Sequence, residues 1–72
     1  MSLGSRIASM RGYRRLNQEQ LGGLVGVSKQ TISGWENDRS KPDANYIRKL
    51  CKVLDCSADY LLELTDDYRR ER

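Results

Sequence analysis

Apolar residues in the first half of this chain recur at helical spacing and stop at a glycine. Leu3, Ile7 and Met10 fall at i, i+4 and i+7, the inner stripe of an amphipathic helix over about Leu3 to Arg14. Leu21, Leu24 and Val25 continue the pattern. Asn17 stands ahead of them as a cap, with Gln20 three residues on at capping-box spacing. Gly26, just past the last apolar residue, can take the left-handed conformation that closes a helix, and Ser28 then caps a new one. Three residues therefore join two short helices. In the second, Ile32 and Trp35 point one way, while Lys29, Gln30, Ser33 and Gly34 fall on the opposite face. One face belongs to a core and the other is free to bind.

Beyond a loop of Asn37 to Pro42, Asp43 is placed to cap a fourth helix whose inner face is Ile47, Leu50, Cys51 and Leu54. Ser57 caps a short fifth helix carrying Leu61 and Leu62. No strand-like alternation, internal repeat or glycine-rich linker interrupts the series. The pattern predicts one all-α, five-helix domain over residues 1–72, with its core at about 3–64 and a charged tail, 65–72, that frays or begins a linker. Met1, Ser2 and Leu3 are given no functional weight. Gly22 and Gly23 lie inside the second helix at a cost of roughly 1 kcal/mol each against alanine. Gly22 is expected to let the two short helices approach closely, and nothing in the sequence accounts for Gly23.

Size narrows the function classes. A domain of 72 residues buries roughly 60% of its unfolded surface, which leaves no room for a deep catalytic cleft beside the core. The sequence also has no histidine, no nucleophile beside a base, and no phosphate-binding glycine loop, so an enzyme is not expected. Cys51 and Cys56 have no histidine to complete a zinc site, so neither metal nor cofactor is expected. Cys51, in an apolar series, reads as a small buried hydrophobe in a reducing compartment, with a redox switch as the alternative. No run of 18 apolar residues and no apolar signal region appears, which points to a cytoplasmic protein without a membrane span.

Charge is informative once divided. Residues 1–41 hold seven Lys/Arg and three Asp/Glu, a net +4, whereas residues 42–72 hold six and seven, a net −1. The excess lies with the two short helices. Arg6, Arg11, Arg14, Arg15, Lys29, Arg39 and Lys41 are candidates to meet phosphates, against the alternative of a merely solvated basic surface.

With those features in place, the chain resembles the helix-turn-helix domain of lambdoid phage repressors and Cro proteins, the Xre-like family, over residues 3–64. The matching residues are Arg11, Asn17, Gln18, Leu21, Gly26, Val27, Ser28, Thr31, Ile32, Trp35, Glu36, Asn37 and Pro42, followed by Leu50, Leu54, Leu61 and Leu62. The resemblance implies a compact lambda-repressor-like fold and sequence-specific binding of double-stranded DNA by a transcriptional regulator, a phage or bacterial repressor. Its recognition helix, about 29–36, would lie in the major groove.

Residue by residue, the resemblance puts Lys29, Gln30, Ser33 and Gly34 at base edges. Lysine suits guanine O6/N7, and glutamine pairs bidentately with adenine N6/N7. Gln18, Asn17, Thr31, Asn37, Arg39 and Lys41 fall at backbone positions. Arg11 and Glu36 match a structural ion pair linking the first helix to the end of the third. Trp35 reads as core at its spacing from Ile32, with base stacking as the alternative.

Departures from the family pattern are also visible. Gly34 stands where many relatives carry a long polar side chain, so direct readout is poorer there and DNA shape or close backbone approach is expected to compensate. Arg15, Asp38 and Asp55 lie near positions where the family has turn glycines. The implied partner is a pseudo-palindromic operator bound by a homodimer, with Tyr60, Leu64 and Tyr68 as candidate self-contacts and ordinary core packing as the alternative for Tyr60. The rival class is a protein-interaction module or antitoxin component on the same fold, to which the acidic pair Asp66 and Asp67 points. A basic patch around the two short helices favours DNA.

Overall fold

The computed structural model describes residues 2–70 and contains five helices: α1 (Leu3–Tyr13), α2 (Gln18–Val25), α3 (Lys29–Glu36), α4 (Ala44–Leu54) and α5 (Ala58–Leu61). Each begins where a side chain replaces the missing intrahelical partner of the first turn. The side-chain oxygens of Ser2, Asn17, Ser28, Asp43 and Ser57 accept from the backbone N–H three residues on. At α2 the box is reciprocal. Gln20 N–H donates to Asn17 Oδ1 at 2.7 Å and Asn17 N–H to Gln20 Oε1 at 2.8 Å. Ser2, given no weight above, forms a second reciprocal box with Ser5 and so starts α1.

Gly26 closes α2 in the left-handed region, with φ 91°, and its N–H and that of Val27 both donate to Gly22 O. The turn is three residues long, from Gly26 to Ser28. Four other residues with side chains take positive φ: Arg15, Asp38, Asp55 and Glu63. The first three are the positions where the resemblance leads one to look for glycine. Each holds the left-handed turn at a cost of about 1 kcal/mol that glycine would avoid.

Twelve apolar residues form one core, drawn from every helix together with Cys56 after α4. Ile7, Leu21, Ile32, Leu50, Leu54, Cys56 and Leu61 are fully enclosed. Trp35 is buried as well, and its ring meets that of Tyr46 at 5.3 Å. Two glycines set how closely elements meet. A Cβ on Gly22 would stand 2.6 Å from Val27 O, and one on Gly4 would stand 2.2 Å from Trp35 O. The backbone of α1 therefore rests directly on the end of α3, where Asp38 accepts from Ser2 Oγ and Gly4 N–H.

Four expectations change. Leu24, read as part of the inner series of α2, is 60% exposed, and Leu62 is 47% exposed. Helical spacing admits Leu24 to the stripe, but Leu21 and Val25 are the apolar side chains of α2 that the core encloses. Leu62 lies just past the end of α5, where the chain turns through Glu63. In the structure the tail lies back against the domain as far as Arg70, where sequence alone suggests a projecting segment. Arg6 donates to Tyr60 O, Thr65 O and Asp66 Oδ1, and Ser57 N–H donates to Tyr68 O, while Tyr68 packs between Tyr13 and Tyr60. The last two residues of that tail lie outside the described residues. Arg6 and Arg14, counted above among phosphate candidates, are committed inside the fold. Arg6 is buried, and Arg14 donates to Leu54 O and Asp55 O, completing the C-terminus of α4.

Candidate nucleic-acid interface

The outer face of α3 is shaped by what lies behind it. Ile32 and Trp35 anchor the helix in the core, and one carboxylate braces its end. Arg11 Nε donates to Glu36 Oε2 at 2.6 Å and its Nη2 to Oε1 at 3.1 Å, a fork-to-carboxylate pair. Gln18 Nε2 donates to the same Oε1 at 3.0 Å, and Arg11 Nη1 reaches Leu16 O. Glu36 is therefore the common acceptor for α1 and α2. Its side chain is only 7% exposed, so the pairing is shielded from water more than a surface ion pair would be. The Glu36 carboxylate also raises the Arg11 guanidinium above its ordinary value. All charges in this bracket are matched, and the angle between α2 and α3 is held from both ends.

Lys29 and Gln30, at the start of α3, are exposed and make no side-chain hydrogen bond among the described residues. Thr31 is half-buried, its hydroxyl 3.0 Å from that of Ser28. Asn17 is exposed and spends its side-chain oxygen on the α2 cap. Arg11, Asn17, Gln18, Glu19 and Lys29 line a shallow depression of about 350 Å³. The first turn of α2 opens into it, directing unpaired N–H groups and a partial positive charge outward, with Glu19 as the opposing charge. Lys29 stands at its edge.

At the far end of the face, Ser33 is half-buried beneath Asn37 and Arg39. Asn37 Nδ2 donates to Ser33 O at 2.9 Å, and Arg39 Nη2 donates to Ser33 Oγ at 3.3 Å. A Cβ on Gly34 would stand 3.1 Å from Ser40 Oγ, so the loop after α3 lies directly against this position of the outer face. Lys41 is exposed in that loop, and Pro42 is buried beside it. The structure thus brings Lys29, Gln30 and Ser33 along one edge and collects Asn37 and Arg39 onto its end.

Of the candidate self-contacts, Tyr60 and Tyr68 are half-buried within the domain. The Arg6 guanidinium sits 4.4 Å above the Tyr60 ring, and the Tyr68 hydroxyl lies 3.2 Å from that of Tyr13. Tyr13 raises the Tyr68 phenol above its ordinary value. Leu64 alone of the three is largely exposed, at 72%. Sequence reasoning missed Asp38 as the tie between the start of α1 and the end of α3. It also missed Arg6 as a buried cation. An arginine at i+3 from Leu3 and i−4 from Met10, inside the apolar stripe of α1, was the available signal.

Among the described residues no helix is long and apolar enough to cross a membrane, and no cluster of side chains suited to a metal appears. Cys51 and Cys56 are both free and buried. The Cys51 thiol and burial together push Cys56 far above the usual thiol range.

Comparison with known proteins agrees with this geometry. A helix-turn-helix family model matches residues 7–61. Repressor protein C2 of Salmonella phage P22 is 41% identical over 61 residues, covering 85% of this chain and 28% of that protein. The uncharacterized HTH-type transcriptional regulator YobD of Bacillus subtilis (strain 168) is 36% identical over 62 residues, covering 86% of this chain and 55% of that protein. The chain therefore spans between 28% and 55% of the length of these two relatives. A crystal structure of the P22 c2 repressor in complex with a synthetic operator superimposes with a TM-score of 0.84 at 40% identity, covering 88% of this chain and 96% of that one. By sequence, by fold and by the arrangement of α2 and α3, this chain belongs to the Xre-like helix-turn-helix family of DNA-binding domains, the family of phage repressors and bacterial transcriptional regulators.

Proposed function

We propose that this chain reads double-stranded DNA with α3 in the major groove and acts as the operator-binding part of a repressor, bacterial or phage-encoded, in the cytoplasm. One observation carries the reading. The edge formed by Lys29 and Gln30 is exposed and, among the described residues, unpartnered, yet stands on a helix braced by Arg11, Gln18 and Glu36. Polar side chains held on a rigid support lose little freedom on binding, so their hydrogen bonds are available for recognition. Lys29 suits guanine and Gln30 adenine, with Ser33 one turn further along. Gln18 and the first turn of α2 receive a phosphate, the ordinary use of a helix N-terminus. Asn17, Thr31, Asn37 and Lys41 contact the backbone around it, and Gly34 contributes by close approach and not by a side chain.

A single small domain makes few base contacts, so two copies acting as a homodimer on a pseudo-palindromic operator, with recognition helices about 34 Å apart, complete the site. Leu64, with Leu62 nearby, is the exposed apolar surface for self-contact, since Tyr60 and Tyr68 are occupied within the domain. The reading requires no enzymatic step, metal or cofactor. Affinity for mixed duplex DNA should fall steeply with salt, the slope of log K against log salt approaching −0.9 for each phosphate neutralised. A flat response refutes DNA binding. Gln30→Ala should cost about 1–3 kcal/mol on the cognate site and little on random duplex. Equal losses on both would move Gln30 to the backbone.

A further inference from the structure

The loop after α3 is folded back along the helix it leaves. Asp38, at φ 58°, reverses the chain, after which Arg39 N–H donates to Gly34 O at 2.9 Å and Ser40 N–H to the same oxygen at 3.4 Å. A side chain at position 34 would meet Ser40 Oγ at 3.1 Å from its first carbon. Glycine there removes one long side chain from the outer edge of α3 and lets the loop lie against it. The consequence is a substitution in space. Arg39, five residues later in sequence, brings its guanidinium to Ser33 Oγ, one turn beyond Gln30.

We propose that Arg39 is a specificity-determining residue that reads a guanine in the major groove, in the place left open by Gly34, instead of a phosphate contact as its loop position implies. This rests on the DNA-reading function above. Three observations support it. Arg39 is exposed, and its Nη2 bond to Ser33 uses one of the five N–H donors of the fork. Ser33 is itself held by Asn37 Nδ2, so the guanidinium has a positioned support. Guanine alone offers the O6/N7 acceptor pair that a planar fork engages with two parallel bonds. Ser33 and Asn37 are then positioning residues whose hydroxyl and amide aim Arg39.

The test is selection of bound sequences from a random duplex pool with the full chain, comparing wild type with Arg39→Ala, Arg39→Gln and Ser33→Ala, each checked for an unchanged melting temperature. Wild type should select a guanine at one position in each half-site, preferred about tenfold or more. Arg39→Ala should lose that position alone and retain those read by Lys29 and Gln30. Arg39→Gln should abolish the guanine preference and favour adenine there, a gain that misfolding cannot mimic. Ser33→Ala should weaken the same position only. If Arg39→Ala leaves the selected sequence intact while lowering affinity on all duplexes alike, with a shallower salt slope, Arg39 is a phosphate contact and the inference fails. It fails equally if neither sequence nor affinity changes. If wild type binds no duplex at all, the DNA-reading function itself falls and this inference with it.

Discussion

Replacing Arg6 with methionine separates two accounts of a basic residue that the sequence assigns to phosphate binding. In the structure its guanidinium is buried at the meeting of α1, α5 and the tail, donating to Tyr60 O and Thr65 O and lying over the Tyr60 ring. Methionine keeps most of the aliphatic stem but removes the donors. Two carbonyl oxygens then lose a charge-assisted partner, at about 1–1.5 kcal/mol each once partial rehydration is allowed for. The cation over the ring adds about 0.5–1 kcal/mol. The Asp66 carboxylate bonded to Arg6 is 97% exposed and adds little. A loss of about 3 kcal/mol is expected, a large part of the stability of so small a domain. It should appear in urea denaturation and as a fall in melting temperature of roughly 10 °C or more. Asp66→Asn is the internal control, with an expected change under about 0.5 kcal/mol. DNA affinity of the folded Arg6→Met protein should be unchanged. A variant as stable as wild type that bound DNA more weakly would refute the buried clamp and restore the phosphate role.

Other perturbations check separate parts of the fold. Gly4→Ala drives a methyl group against the backbone oxygens of Trp35 and Glu36 and should destabilise by about 3 kcal/mol, whereas Gly23→Ala meets nothing within 4 Å and should stabilise by about 0.5–1 kcal/mol; thermal melts of both decide. Cys51 and Cys56 should react with a thiol reagent only after denaturant is added, because both are buried and a reagent cannot reach either sulfur in the folded domain; rapid labelling of the native protein would contradict this. Arg69, bonded to Asp67, depresses that carboxyl below its ordinary value. A depressed acid contributes stability above its unfolded value and loses it as pH falls through the folded one. Carboxyl NMR titration should therefore show a low midpoint for Asp67 that Arg69→Ala raises only part of the way, since the backbone N–H of residue 69 still donates to the carboxylate.

How much was legible in the sequence depended on the range of the interaction. Caps at Asn17, Ser28, Asp43 and Ser57, the left-handed stop at Gly26 and the three-residue turn are decided within four or five residues of chain, and each stands where the local pattern puts it. Ile32 and Trp35 behave likewise, since a helix offers its i and i+3 positions to the same neighbour. Leu24 is the instructive exception. It has the spacing of a core residue, but burial also requires a surface to meet, and α2 is buried along Leu21, Gly22 and Val25 and not along Leu24.

The sequence by itself determined the helices, their order, the helix-turn-helix and the edge carrying Lys29 and Gln30, because propensity, capping and periodicity are local. Only the tertiary structure decided which cations remain for a ligand. Charge counting treats seven basic residues alike, yet Arg6 and Arg14 are spent on Tyr60 and Thr65 carbonyls and on the end of α4, and Arg11 is spent on Glu36, a pairing the family resemblance implies and charge counting does not. Those partners lie 25 to 59 residues away for Arg6 and Arg11 and 40 away for Arg14 along the chain. The same holds for Gly34, whose meaning comes from Ser40 and Arg39 folding back across it. A side chain's type is written in the sequence, but whether its charge faces solvent or a carbonyl is settled by which distant backbone the fold brings within 3 Å.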